Sequence, residues 1–123
     1  MGTPFAMIIE DDNDLSIIFS EALQAAGFET EAIYTGDTAL ERLAVTTPDV
    51  VVLDLHLPRV AGPDILRQIR ADARLVDTKV IIATAYPRMA ESLQEEADLI
   101  LLKPISFSQL RDLAAILGSV KPK

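Results

Sequence analysis

Five short apolar runs, at residues 6–9, 30–33, 50–53, 80–83 and 99–102, recur along the chain, and segments with helical spacing separate them. This alternation limits the fold more than any other feature. The runs are too short for confident helices, and three are rich in Val or Ile. Near-continuous apolar strands are covered on both faces, which is the situation of a parallel sheet. The run at 30–33 differs, with weak alternation.

The first intervening segment places Leu15, Ile18, Phe19, Ala22, Leu23 and Ala26 on one helical face and meets Gly27 as its stop. Asp12, Asn13 and Asp14 stand at its start, where side-chain oxygens cap free N–H groups and the helix dipole favours negative charge. Weaker helices are expected over about 37–44, 63–71 and 89–97. A last one carries Leu110, Leu113, Ala114 and Leu117, opened by Ser106 or Ser108 and closed by Gly118. The βα alternation predicts an α/β doubly wound, five-stranded parallel sheet with helices on both faces, and right-handed crossovers favour the flavodoxin-like order 2-1-3-4-5. One domain over 1–123 is expected, with its core at about 5–118 and no output domain.

Composition narrows the function. Lys and Arg number 11 against 19 Asp and Glu, giving a net charge of −8. Nine of the acids precede Arg42, the first basic residue. An acidic chain without a Lys/Arg stripe repels phosphate backbones, so direct nucleic-acid binding is not expected. The chain has no cysteine, which excludes disulfides, thiolate metal sites and cysteine nucleophiles. No apolar run reaches the roughly 20 residues of a membrane span, and the first residues resemble neither a signal peptide nor a myristoylation signal. A cytoplasmic location without membrane attachment is the expectation.

Most of the apolar runs end in a side chain suited to phosphate or metal chemistry. The first gives Glu10 and Asp11, the third Asp54, the fourth Thr84 and the fifth Lys103. Ligands of doubly wound sheets bind outside the carboxyl ends of the strands, where the strand order reverses. In the expected order, Asp11 and Asp54 face each other across that crevice, with Thr84 and Lys103 on its other side. Clustered carboxylates repel unless a cation joins them, and hard oxygen ligands with room for water suit Mg²⁺. Lys103 can then pair with Asp54 and, after transfer, with a phosphoryl oxygen, while Thr84 offers a hydroxyl donor. A carboxylate in such a setting can act as a nucleophile.

Taken singly, each residue has an ordinary explanation. Acids before a helix cap it, Asp54 can cap a turn, Thr84 can end a strand, and Lys103 can be a solvated loop charge. The ordered set is more specific. Glu10-Asp11, Asp54, Thr84-Ala85 and Lys103-Pro104, with steps of 43, 30 and 19 residues from Asp11 to Asp54, Thr84 and Lys103, resembles the receiver domain of bacterial two-component response regulators. The likeness covers nearly the whole chain and includes Asp54-Leu55-His56-Leu57-Pro58 followed by Gly62.

That resemblance implies a phosphorylation-controlled switch, not a classical enzyme. It makes Asp54 the phosphoacceptor, Asp11 a direct Mg²⁺ ligand, Glu10 a ligand through water, and the backbone carbonyl of His56 a further ligand. It makes Thr84 the switch hydroxyl and Lys103 the phosphate-binding lysine, with a cis bond before Pro104. His56 and Tyr86 fall where side chains tune access of water to the phosphoryl group. The implied partners are a sensor histidine kinase or phosphotransfer protein and a downstream protein, with a homodimer compatible. Two other classes compete: a small-molecule phosphatase, which would want an acid where His56 stands, and an interaction module independent of phosphorylation. The sequence also departs from the family. Ile100 replaces the usual aromatic three residues before Lys103, the stretch from Thr84 to Lys103 is about one helical turn short, and Glu96-Ala97-Asp98 replaces a common glycine. The reacting residues are retained while the output surface differs.

Overall fold

A computed structural model describes residues 2–119. The strands are β1 (Phe5–Ile9), β2 (Glu29–Ile33), β3 (Val50–Asp54), β4 (Lys79–Thr84) and β5 (Leu99–Leu102). They form one parallel sheet in the order β2-β1-β3-β4-β5, as the alternation predicts. Met7 lies opposite Val51, Val52 opposite Ile81, and Thr84 opposite Leu102. The three inner strands are buried almost throughout, which is why they read as unbroken apolar runs.

Alternate side chains of each strand feed two cores. Met7, Ile9, Val51, Leu53, Val80 and Ile82 point to one face, where α2 (Gly36–Leu43), α3 (Gly62–Ala71) and α4 (Pro87–Glu91) contribute Leu43, Leu66 and Ala90. Ala6, Ile8, Val50, Val52, Ile81 and Ala83 point to the other, under α1 (Asn13–Ala25) and α5 (Phe107–Ser119). This period of two places consecutive strand residues on opposite faces. It leaves the last residue of a strand, or the one just after it, free to serve the crevice at the strand ends.

Capping sets the outer helices. Asp12 Oδ1 accepts the Leu15 N–H at 3.0 Å, and Ser106 Oγ accepts the Gln109 N–H at 3.0 Å. α5 does not close at Gly118 as expected but runs through it to Ser119. A Cβ at Gly118 would stand 2.8 Å from the Phe28 ring, so the glycine allows close approach instead of marking a stop. Met1 and the chain end at 120–123 lie outside the described residues.

The fourth helix also differs from expectation. It covers Pro87–Glu91, earlier and shorter than 89–97. Pro87 is suited to a first helical turn, and the chain after Glu91 continues through turns, with Leu93 N–H donating to Ala90 O and Glu96 N–H to Leu93 O. Arg70 of α3 holds the segment beyond. Its Nε donates to Glu96 O at 2.7 Å, one terminal nitrogen to Thr78 O at 2.9 Å, and the other to Asp98 Oδ2 at 2.9 Å. Asp98 Oδ2 also accepts the Val80 N–H at 2.7 Å. This brace fixes where β5 begins, and thereby where Lys103 follows it. Ile100 is half-buried on β5 against the α3 and α4 side of the core.

Candidate functional site

The sequence-predicted residues converge at the carboxyl end of the sheet. Glu10 follows β1, with its N–H donating to Ile33 O at 3.0 Å, and Asp54 and Thr84 are the last residues of β3 and β4. Lys103 follows β5, with its N–H donating to Thr84 O at 2.8 Å, and the Lys103-Pro104 bond is cis. Glu10 is 1% exposed, Asp54 5% and Thr84 0%, whereas Asp11 faces solvent. The parallel register thus brings together four chain segments at one mouth.

One carboxyl oxygen each from Glu10, Asp11 and Asp54 lie within 4.8 Å of one another. One cation enters the cluster. Lys103 Nζ is 2.7 Å from Glu10 Oε1 and 3.5 Å from Asp54 Oδ1. The sequence reading pairs this amine with Asp54, but Glu10 is its nearer partner. The reason is that Glu10 reaches in from the strand end while the Asp54 carboxylate also meets its own loop, accepting the His56 N–H at 3.3 Å. Glu10 Oε1 is buried and has charge contact with Lys103 without an aligned hydrogen bond. Its other oxygen accepts the Asp12 N–H at 3.1 Å.

Electrostatics make the site unsatisfied without another cation. Burial pushes the Glu10 carboxyl up to about 7, against the pull of Lys103 and the Asp12 N–H, and the Asp54 charge adds to the rise. Burial likewise raises Asp54, with Lys103 and the His56 N–H opposing and Asp11 reinforcing. Burial works to lower Lys103, but its contacts with Glu10 and Asp54 outweigh this and hold it above its ordinary value. Three carboxyls crowd one amine. A hard divalent cation bound by oxygens would relieve both the repulsion and the incomplete contact at Glu10 Oε1, so the donor set fits Mg²⁺.

The surrounding loops position Asp54. Gly62 lies against the chain at Asp54, where an added Cβ would be 2.5 Å from Asp54 O, so only glycine lets α3 start this close. Thr84 Oγ accepts the Tyr86 N–H at 3.0 Å. The His56 and Tyr86 rings stack with centroids 4.6 Å apart and 27° between planes. Sequence reading singled out both residues but not their contact. It did not single out Arg70, whose position near a helix end reads as an ordinary favourable charge.

Residues 6–115 match the response regulator receiver domain family. The chain belongs to that family. This receiver is 33% identical over 124 residues to the phosphate regulon transcriptional regulatory protein PhoB of Rhizobium meliloti (strain 1021), covering 98% of this chain and 55% of that protein. It is 35% identical to the transcriptional regulatory protein CutR of Streptomyces coelicolor over 91% of this chain and 52% of that one. The chain therefore spans about half the length of these curated relatives. Among solved structures, the CheY-like receiver domain from Methylobacillus flagellatus superposes with a TM-score of 0.83 at 26% identity, covering 94% of this chain and 99% of that one. The response regulator TrrA of Thermotoga maritima, in complex with Mg²⁺-BeF, gives 0.82 at 26% identity, covering 93% and 98%. Receiver domains are signalling switches rather than classical enzymes. Among the described residues no helix is long and apolar enough to cross a membrane.

Proposed function

We propose that the chain is the phosphorylation switch of a cytoplasmic two-component or phosphorelay pathway, with Asp54 as phosphoacceptor. The observation that carries this reading is the buried Asp54 carboxylate, flanked by Lys103 and two further acids at the crevice where strand order reverses. An Asp54 oxygen attacks the phosphorus of a phosphohistidine on a sensor kinase or phosphotransfer protein. The N–P bond breaks as the O–P bond forms, and the imidazole leaves.

Glu10, Asp11, Asp54 and the His56 backbone carbonyl would hold Mg²⁺, Glu10 through water. When bound, the ion offsets charge on the carboxylates and on the transferring phosphoryl oxygens. Lys103 supplies positive charge beside Glu10 and Asp54 and stays protonated there. Thr84 turns its hydroxyl from the Tyr86 N–H toward a phosphoryl oxygen and thereby favours a second conformation. The only chemistry of the chain is gain and loss of its own phosphoryl group. The output is a change in a protein partner or in self-association, not direct contact with nucleic acid.

Incubation with Mg²⁺ and acetyl phosphate tests the assignment. Intact mass spectrometry is expected to show one added phosphoryl group, sensitive to hydroxylamine and absent in Asp54→Asn. The same adduct on the variant would overturn it.

A further inference from the structure

Two exposed rings span the gap between the loops that carry Asp54 and Thr84. Tyr86 is 48% exposed and His56 is exposed, so burial does not hold them together. Their backbones do. Each ring lies two residues beyond a reacting side chain, and each residue's N–H donates to that side chain: His56 to Asp54 Oδ1 at 3.3 Å, Tyr86 to Thr84 Oγ at 3.0 Å. The stack, at 4.6 Å between centroids, is thus tied to both partners of the proposed reaction.

Resting on the phosphoacceptor reading, we propose that the His56–Tyr86 stack is a latch that is closed in the unmodified protein and opens when Asp54 is phosphorylated. Both anchors change in that event. Conversion of the Asp54 carboxylate to an acyl phosphate withdraws charge from the group that the His56 N–H meets, weakening a charge-assisted bond. Reorientation of the Thr84 hydroxyl toward the phosphoryl group alters the acceptor of the Tyr86 N–H. The phosphoryl group also adds bulk and further negative charge beside the rings.

The latch has a route outward. Tyr86 immediately precedes α4, at its N-cap, and makes no side-chain cap there. Opening of the stack therefore frees the first turn of a helix only five residues long, Pro87–Glu91. The Arg70 brace holds the far end of the same segment, so motion is confined to the end nearer Thr84.

The chain contains a single histidine, so proton NMR of the full chain reads the stack directly from one pair of imidazole C–H signals. Spectra are compared in Mg²⁺ with and without beryllofluoride, at a fixed pH of about 8.5, well above the ordinary histidine pKa of about 6.5. In the free protein, wild type and Tyr86→Phe are expected to show the signals displaced upfield by the facing ring, and Tyr86→Ala to lose that displacement. Beryllofluoride is expected to move the wild-type signals to the Tyr86→Ala position and to leave those of Tyr86→Ala where they are. Retention of the displacement in the wild type while ¹⁹F signals report bound beryllofluoride overturns the latch but not the site. No displacement in the free wild type overturns the latch as well. Absence of bound fluoride overturns the phosphoacceptor reading first and the latch with it.

Discussion

Lys103 and Arg70 hold opposite ends of the segment from β4 to β5, and their surroundings differ in one respect. Arg70 is matched: its three nitrogens meet two carbonyls and one carboxylate, and the Asp98 charge balances its own. Lys103 is outnumbered, facing the buried Glu10 and Asp54 with Asp11 close to both. A matched cation at a half-buried position fixes geometry. An outnumbered one leaves negative charge that a proton or a further cation must offset, which is how a cluster suited to a metal ion differs from a brace.

The largest expected effect tests the outnumbered side. The folded protein holds the Glu10 proton up to about pH 7, whereas the unfolded chain releases it near 4.5. Between these values the folded state binds more protons, so stability without Mg²⁺ falls as pH rises and levels off above about 7. The loss is on the order of 3 kcal/mol. Asp54, raised for the same reason, adds to the slope. Urea unfolding across this range should show the decline, and Glu10→Gln should flatten most of it. A rising profile in the wild type would mean that the cluster is matched after all.

The opposite behaviour is expected of the brace. Arg70→Ala leaves Glu96 O, Thr78 O and Asp98 without their guanidinium partner and should lower stability by about 2 kcal/mol. Phosphorylation by acetyl phosphate should persist, since Asp54 is not among its contacts and the Lys103 N–H on Thr84 O still ties Lys103 to the end of β4. Asp54→Asn should instead raise metal-free stability, by about 1 kcal/mol, because it removes a buried charge from a crowded cluster. Thermal melts should show Mg²⁺ stabilising the wild type and having little effect on this variant. Destabilisation by Asp54→Asn would place Lys103 and Arg70 in the same class.

The difference between the two cations was only half legible in the sequence. The site was readable because apolar runs ending in Glu10, Asp54, Thr84 and Lys103 need only parallel strand order to bring those residues together. The preference of Lys103 for Glu10 was not, because it depends on side-chain reach across two strands. The fourth helix shows the same limit. Met89, Leu93 and Ala97 recur at helical spacing and do pack against the core. Yet the chain beyond Glu91 turns instead of coiling, with the Leu93 N–H on Ala90 O and the Glu96 N–H on Leu93 O, and Arg70 holds the Glu96 carbonyl, which a helix ending at Ala97 would leave without an internal partner. Spacing reported which side chains face inward, but it carried no sign of the partner 26 residues earlier in the chain that holds the Glu96 carbonyl.

The smallest effect lies in the loop that follows Asp54, where neither kind of matching operates. Arg59 has φ of 74°, the left-handed region that side chains with a Cβ disfavour, and its ion pair with Asp37 spans 3.8 Å between exposed groups. Such a pair contributes roughly 0–1 kcal/mol, comparable to the backbone cost it accompanies. Arg59→Gly removes the strain and the pair together and also enlarges the freedom of the unfolded chain. The three terms nearly cancel, so the expected change in urea unfolding is within about 0.5 kcal/mol. A loss of about 2 kcal/mol or more would show that Arg59 is matched as Arg70 is, and that the loop carrying His56 is held from α2 through Asp37. A null result leaves the loop held by its backbone contacts, the Gly36 N–H on Pro58 O and the Gly62 N–H on Leu55 O, each 3.2 Å long.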